Sequence, residues 1–324
     1  MLNKIRDIGV VMGGPSSERE ISIRSGTAIS GALAKKGYNV VKLVIGAETD
    51  KSIALMLEKN DLDIVFIALH GRYGEDGTIQ KILEDYNIPY TGSGVLANYN
   101  SLNKVIAKKI FVREDIRTPD YEIIRREDSF RRIELGLPVV IKPPLEGSSI
   151  GMTIARTPEE YKAGVKEAFR CEGGSSILVE KFIKGRELTV GILDGEALPV
   201  INIVPKSGQY DYSSKYTKGM TDYIVPADVP QEIYDEAQEL GLKAHKSLNC
   251  YGFSRVDLIF GDDGFCYVLE INAIPGFTET SLLPKAAKSC GLEFGDLCER
   301  ILTSGFSRFA KLNINRINRV TDKK

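Results

Sequence analysis

The stretch FSRVDLIFGDDGFCYVLEIN, residues 253–272, constrains the chain more than any other. Two apolar runs flank GDDG, the pattern of an antiparallel hairpin. Side chains two apart on a strand share a face. With a two-residue loop at Asp262 and Asp263, Arg255 is expected opposite Glu270 and Asp257 opposite Val268, which puts Arg255, Asp257, Glu270 and Asn272 on one face. The other face carries Val256, Leu258, Phe260, Phe265, Tyr267, Leu269 and Ile271 and is expected to be core. A one-residue slip would split the polar set. Polar groups aimed together from apolar strands are costly unless something satisfies them. An Arg255–Glu270 ion pair, with Asp257 and Asn272 in solvent, is one solution. The other is a cation, and an oxygen-only set suits Mg²⁺ held at about 2.1 Å.

The rest of the chain divides by pattern. Residues 1–96 alternate strand-like runs (DIGVVMGG, NVVKLVI, DIVFIALHG) with helical ones, which predicts an N-terminal parallel doubly wound α/β domain. Residues 97–183 begin with one expected helix, SLNKVIAKKIFVRED, and continue as a small central α+β domain through TPDYEIIRR, LPVVIKPP, PEEYKAGVKEAF and SILVEKFI. Residues 184–312 read as a C-terminal antiparallel-sheet domain, with helices near 230–248 and from 281 to 311. Residues 313–324 form a polar tail expected to fray.

Composition removes several classes of function. A formal net charge of -1 offers nothing to nucleic acid, so an anionic ligand must be held by local groups. The apolar runs are too short to span a membrane, and the first residues lack a signal-peptide pattern, so the expected setting is the cytoplasm, with no membrane partner. Five cysteines without a C-x-x-C spacing argue against disulfide frameworks and zinc sites and are expected to be reduced, mostly buried thiols. Two histidines leave little supply for transition metals or nucleophile triads. His70 closes an apolar strand, whereas His245 lies in a charged helix and is expected in solvent.

Magnesium held by carboxylates usually also meets phosphates. No G-x-x-x-x-G-K-[ST] motif exists, and GSGVLA at 92–97 fits a dinucleotide motif without following the first strand of its domain. VVIKPPLEGSSIGMTIAR is the better cradle: a strand delivers Lys142, and Gly147, Ser148, Ser149 and Gly151 offer backbone N–H groups and hydroxyls. An ordinary Gly/Ser hairpin loop with a solvated lysine is the competing reading. In ILVEKFIKGREL, Glu180, Lys181, Ile183 and Glu187 would suit a nucleotide. Glu18 lies within an expected capping box from Ser17 to Glu20, after a parallel strand, where ligands also bind.

Seven motifs, VVMGGPSSEREISIRSG, IALHGRYGEDGTIQ, PYTGSGV, VIKPPLEGSSIGM, YDYSSKY, GFSRVDLIF and LEINAIPGFTETSLLP, stand in the order of the D-alanine-D-alanine ligases, and the chain resembles that family of the ATP-grasp superfamily. The resemblance implies the ATP-grasp fold, with ATP between the central and C-terminal sheets. It implies ATP-dependent ligation of two D-alanine molecules through a D-alanyl phosphate, for peptidoglycan precursor synthesis, with two Mg²⁺ ions for which Mn²⁺ substitutes, in a homodimer. By motif position, Lys104 and Lys142 would bind phosphates, Glu180, Lys181, Ile183 and Glu187 would hold the adenine and ribose, and Lys215 would bind ATP from the family's closing loop. Asp257, Glu270 and Asn272 would bind metal. Arg255 and the N–H of Gly276 would stabilise the reacting acyl group. Glu18 and His70 would meet the first D-alanine, and Ser281 with Leu282 the carboxylate of the second. Tyr216 would lie in a closing loop, linked by hydrogen bonds to Ser148 and Glu18. A D-lactate- or D-serine-using ligase is the neighbouring alternative, and a non-catalytic nucleotide-binding regulator the distant one. The chain departs from the family pattern at Ala273, where Thr is common. Hairpin parity points Ala273 to the core.

Overall fold

The computed structural model describes residues 5–46, 50–128, 133–171, 175–206, 217 and 219–321. Successive stretches of the chain build three sheets. The first contains β1 (Asp7–Gly13), β2 (Asn39–Ile45) and β3 (Ile64–Ile67), parallel and in the order β2-β1-β3. β3 is buried along its length, as expected of a parallel strand covered on both faces. Ile29 and Leu33 of α1 (Arg19–Lys35) pack with Ile8, Val10 and Met12, while Val11 faces a second core that includes Ile53 and Leu57 of α2 (Asp50–Glu58) and Ile79 of α3 (Thr78–Asp85). Gly26 permits the close approach of α1 to β1, because an added Cβ would come within 2.6 Å of Met12.

The expected capping box does not form. The residue before the helix is Glu18, without a side-chain cap. Ser16 braces this turn instead: its Oγ accepts from the Glu18 N–H (3.2 Å) and donates to the His70 carbonyl (2.7 Å). The stretch read as a single helix is two, α4 (Val95–Leu102) and α5 (Lys104–Arg113). Asn103 leaves helical geometry and caps α5 by accepting the Ile106 N–H at 3.2 Å, a role its short amide suits.

The second sheet is antiparallel, with β4 (Tyr121–Arg125), β5 (Val139–Lys142), β6 (Thr153–Ala155) and β7 (Ser176–Lys181) in the order β4-β7-β5-β6. It is covered by α6 (Pro158–Ala168), whose start is a full capping box of Thr157 and Glu160. The third contains β8 (Gly185–Leu193), β9 (Glu196–Ala197), β10 (Ile201–Pro205), β11 (Thr221–Ile224), β12 (Phe253–Gly261) and β13 (Cys266–Asn272). Its order is β11-β10-β8-β12-β13, with β9 paired to β8 and every pair antiparallel. Helix α7 (Gln231–Ser247) packs on this sheet, and α8 (Leu282–Ser289) and α9 (Phe294–Thr321) follow. The backbone of α9 stays helical through Thr321, where the sequence suggested a fraying tail.

The hairpin differs from expectation in register and keeps its polar face. Asp262–Phe265 form a longer turn, closed by the Gly261 N–H donating to the Phe265 carbonyl at 2.8 Å. Next to this turn the register is one residue off expectation, and only after one further residue is inserted on β13 does Arg255 face Asn272 and Asp257 face Glu270, a total shift of two that restores side-chain parity. The insertion is a bulge: Leu258 pairs with Val268, leaving Leu269 as the extra residue. Beyond it Cys266 and Val268 are buried, while Phe265, expected in the core, is 48% exposed. Ala273 is buried, as parity indicated.

His245 corrects another expectation. It is buried, with Nδ1 2.7 Å from the Ser254 hydroxyl, and burial pushes its pKa down to about 4. The five cysteines are unpaired; Cys266 and Cys298 are buried and Cys290 is exposed. Among the described residues no helix is long and apolar enough to cross a membrane.

Candidate active site

The second and third sheets enclose a cavity. From the second come Lys142 on β5, Glu180 and Lys181 on β7, and the loop 143–152; from the third come Glu187 on β8, Asp257 on β12, and Leu269 and Glu270 on β13. Lys104, at the start of α5, and Ile183 also line it. The outward-turned bulge residue Leu269 thus contributes an apolar wall that the expected register had assigned to the core.

A buried charge cluster stands at one side of this cavity. Glu180 is 1% exposed and lies between two ammonium groups, Lys142 at 2.5 Å and Lys108 at 2.5 Å. Burial opposes its ionisation, but the two lysines outweigh that and hold its pKa below the ordinary carboxylate range. Burial also opposes the Lys142 ammonium, and Glu180, Glu270 and Glu187 outweigh it and raise its pKa. For Lys108 burial dominates and brings the pKa down to about 8. Nothing singled out Lys108 in the sequence beyond its place one helical turn after Lys104. Lys104 donates to the Glu146 carbonyl at 2.7 Å and pairs with Glu270 at 3.3 Å.

The small-residue loop adopts the backbone its composition allows. Ser148, Ser149 and Gly151 have φ values of 50°, 60° and 67°, the left-handed region that side chains usually avoid. Strain of this kind concentrates at functional loops. Here it brings the Ser148 hydroxyl to the Glu18 carboxylate, to which it donates. Gly147 passes so close that an added Cβ would lie 3.1 Å from Glu18 Oε2.

On the hairpin face Arg255 forks onto Asp257, with Nε to Oδ1 at 2.8 Å and Nη2 to Oδ2 at 2.7 Å. The Asn272 amide donates to the same carboxylate at 3.1 Å, and Thr189 Oγ1 donates to it at 2.6 Å. Thr189 is buried on apolar β8, so its sequence setting gave no sign of this contact. Among the described residues no three or more His, Cys, Asp or Glu side chains form a metal-holding group. Asp257, Glu270 and Asn272 nevertheless fit a hard cation by donor chemistry: two carboxylates and a carboxamide oxygen on one cleft wall, with Arg255 and Lys104 balancing the carboxylate charge.

A second cavity meets the first at Gly147, Ser148 and Glu270. Glu18, His70, Arg255, Asn272, Gly276, Ser281 and Leu282 line it, together with Glu75, which the sequence reading did not select. His70 is buried, with Nδ1 3.1 Å from the Ile274 carbonyl and 3.5 Å from Glu75. Its Nε2 lies 3.2 Å from Ser25 Oγ, which accepts the Phe277 N–H at 3.1 Å. His70 is therefore tied to both ends of the turn that carries Gly276. Burial opposes its positive charge, but Glu75 and Glu18 outweigh it and raise the pKa. Ser281 Oγ accepts the Thr278 N–H at 3.0 Å, and Ser281 and Leu282 open helix α8 toward the cavity. Helix N-termini favour anions. The expectations for Lys215 and Tyr216 lie outside the described residues.

Residues 110–303 match the family model described as D-ala D-ala ligase C-terminus, and residues 46–93 the one described as D-ala D-ala ligase N-terminus. The D-alanine--D-alanine ligase of Geotalea uraniireducens is 47% identical over 303 residues, covering 93% of this chain and 96% of that protein. That of Syntrophotalea carbinolica is 48% identical over 303 residues, covering 94% and 97%. The crystal structure of D-alanine--D-alanine ligase from Bacillus anthracis complexed with ATP is similar with a TM-score of 0.82 at 34% identity, covering 94% of this chain and 99% of that one. The fold is the ATP-grasp arrangement that the motifs implied. Near full-length identity of this degree, with both family models matched, means that the chain belongs to the D-alanine-D-alanine ligase family.

Proposed function

We propose that this chain joins two D-alanine molecules into D-alanyl-D-alanine while converting ATP to ADP and phosphate, for peptidoglycan precursor synthesis. One observation carries the reading beyond family membership: Glu270 and Ser148 border both cavities, so a nucleotide in the lysine-lined one would direct its phosphates toward amino acids in the other.

A carboxylate is a poor electrophile. In the proposed reaction a carboxylate oxygen of the first D-alanine attacks the γ-phosphorus, an O–P bond forms and ADP departs. The amine of the second D-alanine then attacks the acyl carbon of the D-alanyl phosphate. Phosphate leaves, the amine loses a proton, and the peptide bond remains. No protein nucleophile is needed, so the residues position groups and neutralise charge. Lys104 and Lys142 would face the phosphates, as their place on the first cavity supports. Glu180, Lys181, Ile183 and Glu187 would receive adenine and ribose. Glu18 would take the ammonium of the first D-alanine, with His70 beside it. Arg255 and the Gly276 N–H would stabilise the oxyanion. Ser281 and Leu282 would bind the second carboxylate at the head of α8. Lys215 and Tyr216 would close over the site and exclude water from the acyl phosphate.

Asp257, Glu270 and Asn272 would hold Mg²⁺, with Mn²⁺ able to substitute. Bound there, the ions would neutralise phosphoryl charge. A homodimer and a cytoplasmic setting belong to the same proposal, on the resemblance alone.

The test is ADP release in the presence of Mg²⁺. Release that depends on D-alanine and not on L-alanine supports the ligase; release without amino-acid dependence rejects it. D-lactate or D-serine replacing the second D-alanine at comparable kcat/KM would favour the neighbouring specificity.

A further inference from the structure

Lys108 lies at the centre of the buried cluster and has no assigned role in the reaction. It is 1% exposed, on the inner face of α5. An ammonium group has three protons to donate. Three acceptors surround this one: Glu180 Oε1 at 2.5 Å, the Thr118 hydroxyl, and the Val268 carbonyl at 3.4 Å. Thr118 in turn donates to the Val268 carbonyl at 2.6 Å. Lys108 therefore links Glu180 on β7 of the second sheet to Val268 on β13 of the third, the two sheets that enclose the first cavity.

We propose that Lys108 is a positioning residue, the permanent counter-ion of Glu180, whose presence allows Lys142 to leave Glu180 and engage nucleotide phosphates. This rests on the reading above that the first cavity takes ATP. Glu180 is flanked by two cations, and only Lys142 reaches the cavity lining. Without Lys108, turning Lys142 toward a phosphate would strand a buried carboxylate, which is strongly unfavourable. In the free protein, loss of Lys108 leaves the Lys142–Glu180 pair intact. The defect should therefore appear in nucleotide binding more than in folding. The Glu180 carboxyl is held below the ordinary carboxylate range by the two lysines, against burial, and the Lys108 ammonium, pulled down to about 8 by burial, supplies this charge at and below neutral pH.

The experiment compares wild type, Lys108→Met, Lys108→Arg, Glu180→Gln and the double variant Lys108→Met/Glu180→Gln, by equilibrium ATP titration and steady-state kinetics. Lys108→Met is expected to weaken ATP binding at least tenfold while the KM for D-alanine stays within twofold. Lys108→Arg, which keeps the charge, should recover part of the loss. In the Glu180→Gln background Lys108→Met should cost less than twofold, because a neutral amide needs no counter-ion. ATP affinity within twofold of wild type in Lys108→Met, or a full tenfold loss repeated in the Glu180→Gln background, overturns the proposal. If Lys108→Met does not fold, the double variant is expected to fold and to bind ATP like Glu180→Gln alone; a double variant that fails as well also overturns it. Lys142→Met separates the two levels: unchanged ATP binding there would reject the phosphate reading of the first cavity, whereas weakened binding there with an unaffected Lys108→Met rejects only the role of Lys108.

Discussion

The Ser148 hydroxyl donates to the Glu18 carboxylate, joining residues 130 positions apart and fixing the strained small-residue loop to the head of α1. The bond fixes the carboxylate proposed to receive the ammonium of the first D-alanine. Hydrogen bonds to charged groups contribute about 1.5–3 kcal/mol, equivalent to roughly ten- to hundredfold in an equilibrium. Ser148→Ala is accordingly expected to raise the KM for the first D-alanine about tenfold or more, with a smaller effect on ATP binding. Steady-state kinetics with D-alanine and ATP varied separately checks this, and an unchanged D-alanine KM would remove the proposed role of the contact.

Arg255 offers a sharper separation of binding from chemistry. Its fork onto Asp257 holds the guanidinium at the wall of the second cavity, away from the buried Glu180 cluster. Removing one oxyanion stabiliser typically costs ~10²-fold or more in kcat. Arg255→Ala should lose turnover to that extent while still binding nucleotide by titration. Near-normal turnover would sink the assignment.

Thr189 tests the same carboxylate from behind. Its hydroxyl donates to Asp257 Oδ1 at 2.6 Å from a buried position on β8. Thr189→Val keeps the shape and removes the donor, a loss worth roughly 1–3 kcal/mol when the orphaned group is buried or charged. Asp257 is then expected to hold Mg²⁺ less firmly, seen as a several-fold higher Mg²⁺ requirement for ADP release at saturating D-alanine. A Mg²⁺ dependence identical to wild type would count against Asp257 as a ligand.

How much of this was legible beforehand depended on whether the relevant physics was local. The grouping of Arg255, Asp257, Glu270 and Asn272 on one face follows from strand parity and survives because two one-residue departures cancel, the longer turn shifting the register by one and the bulge at Leu269 by one more. The bulge at Leu269 did not follow, since it depends on the 117–118 segment: Val268 donates its N–H to the Arg117 carbonyl at 2.9 Å and accepts from Thr118. Lys142 and the Gly147–Gly151 loop were readable from composition. Lys108 and Thr189 were not, because an isolated lysine in a helix and a threonine in a strand carry no mark of the carboxylate they will meet. The burial of His245 is hidden in the sequence for a similar reason: its helix is charged along the sequence, yet the face that carries His245 packs on Ser254 of β12.

Gly151 is expected to be intolerant of substitution for two reasons that add. Its φ of 67° disfavours a side chain, and a Cβ there would lie 2.5 Å from Cys171 Sγ and 2.8 Å from Pro143 Cγ. Left-handed strain costs on the order of 1–2 kcal/mol, and overpacking typically adds about 1–3 kcal/mol. Gly151→Ala should lower the melting temperature and raise the KM for ATP together, because the loop that must shift is the one lining the first cavity. A variant that melts normally and keeps its ATP KM would show that the loop relaxes without consequence.

His245 sets an acid limit on stability that is independent of the active site. The imidazole is buried against Ser254 with its pKa pushed down to about 4, chiefly by burial and secondarily by the Lys246 charge. An unfolded histidine titrates near 6.5, so between that value and about 4 the unfolded chain binds a proton that the folded one refuses. Stability therefore rises with pH across this window. The contribution is complete above about pH 6.5 and is lost as pH falls toward 4, reaching roughly 2 kcal/mol of loss by about pH 5 at ~1.4 kcal/mol per pH unit. His245→Gln cannot take up that proton. It is expected to be less stable than wild type at pH 7, since the ring's packing is gone, but to lose less between pH 7 and pH 5. Urea unfolding midpoints of the two proteins at both pH values measure the difference, and parallel losses would assign the acid sensitivity to other groups.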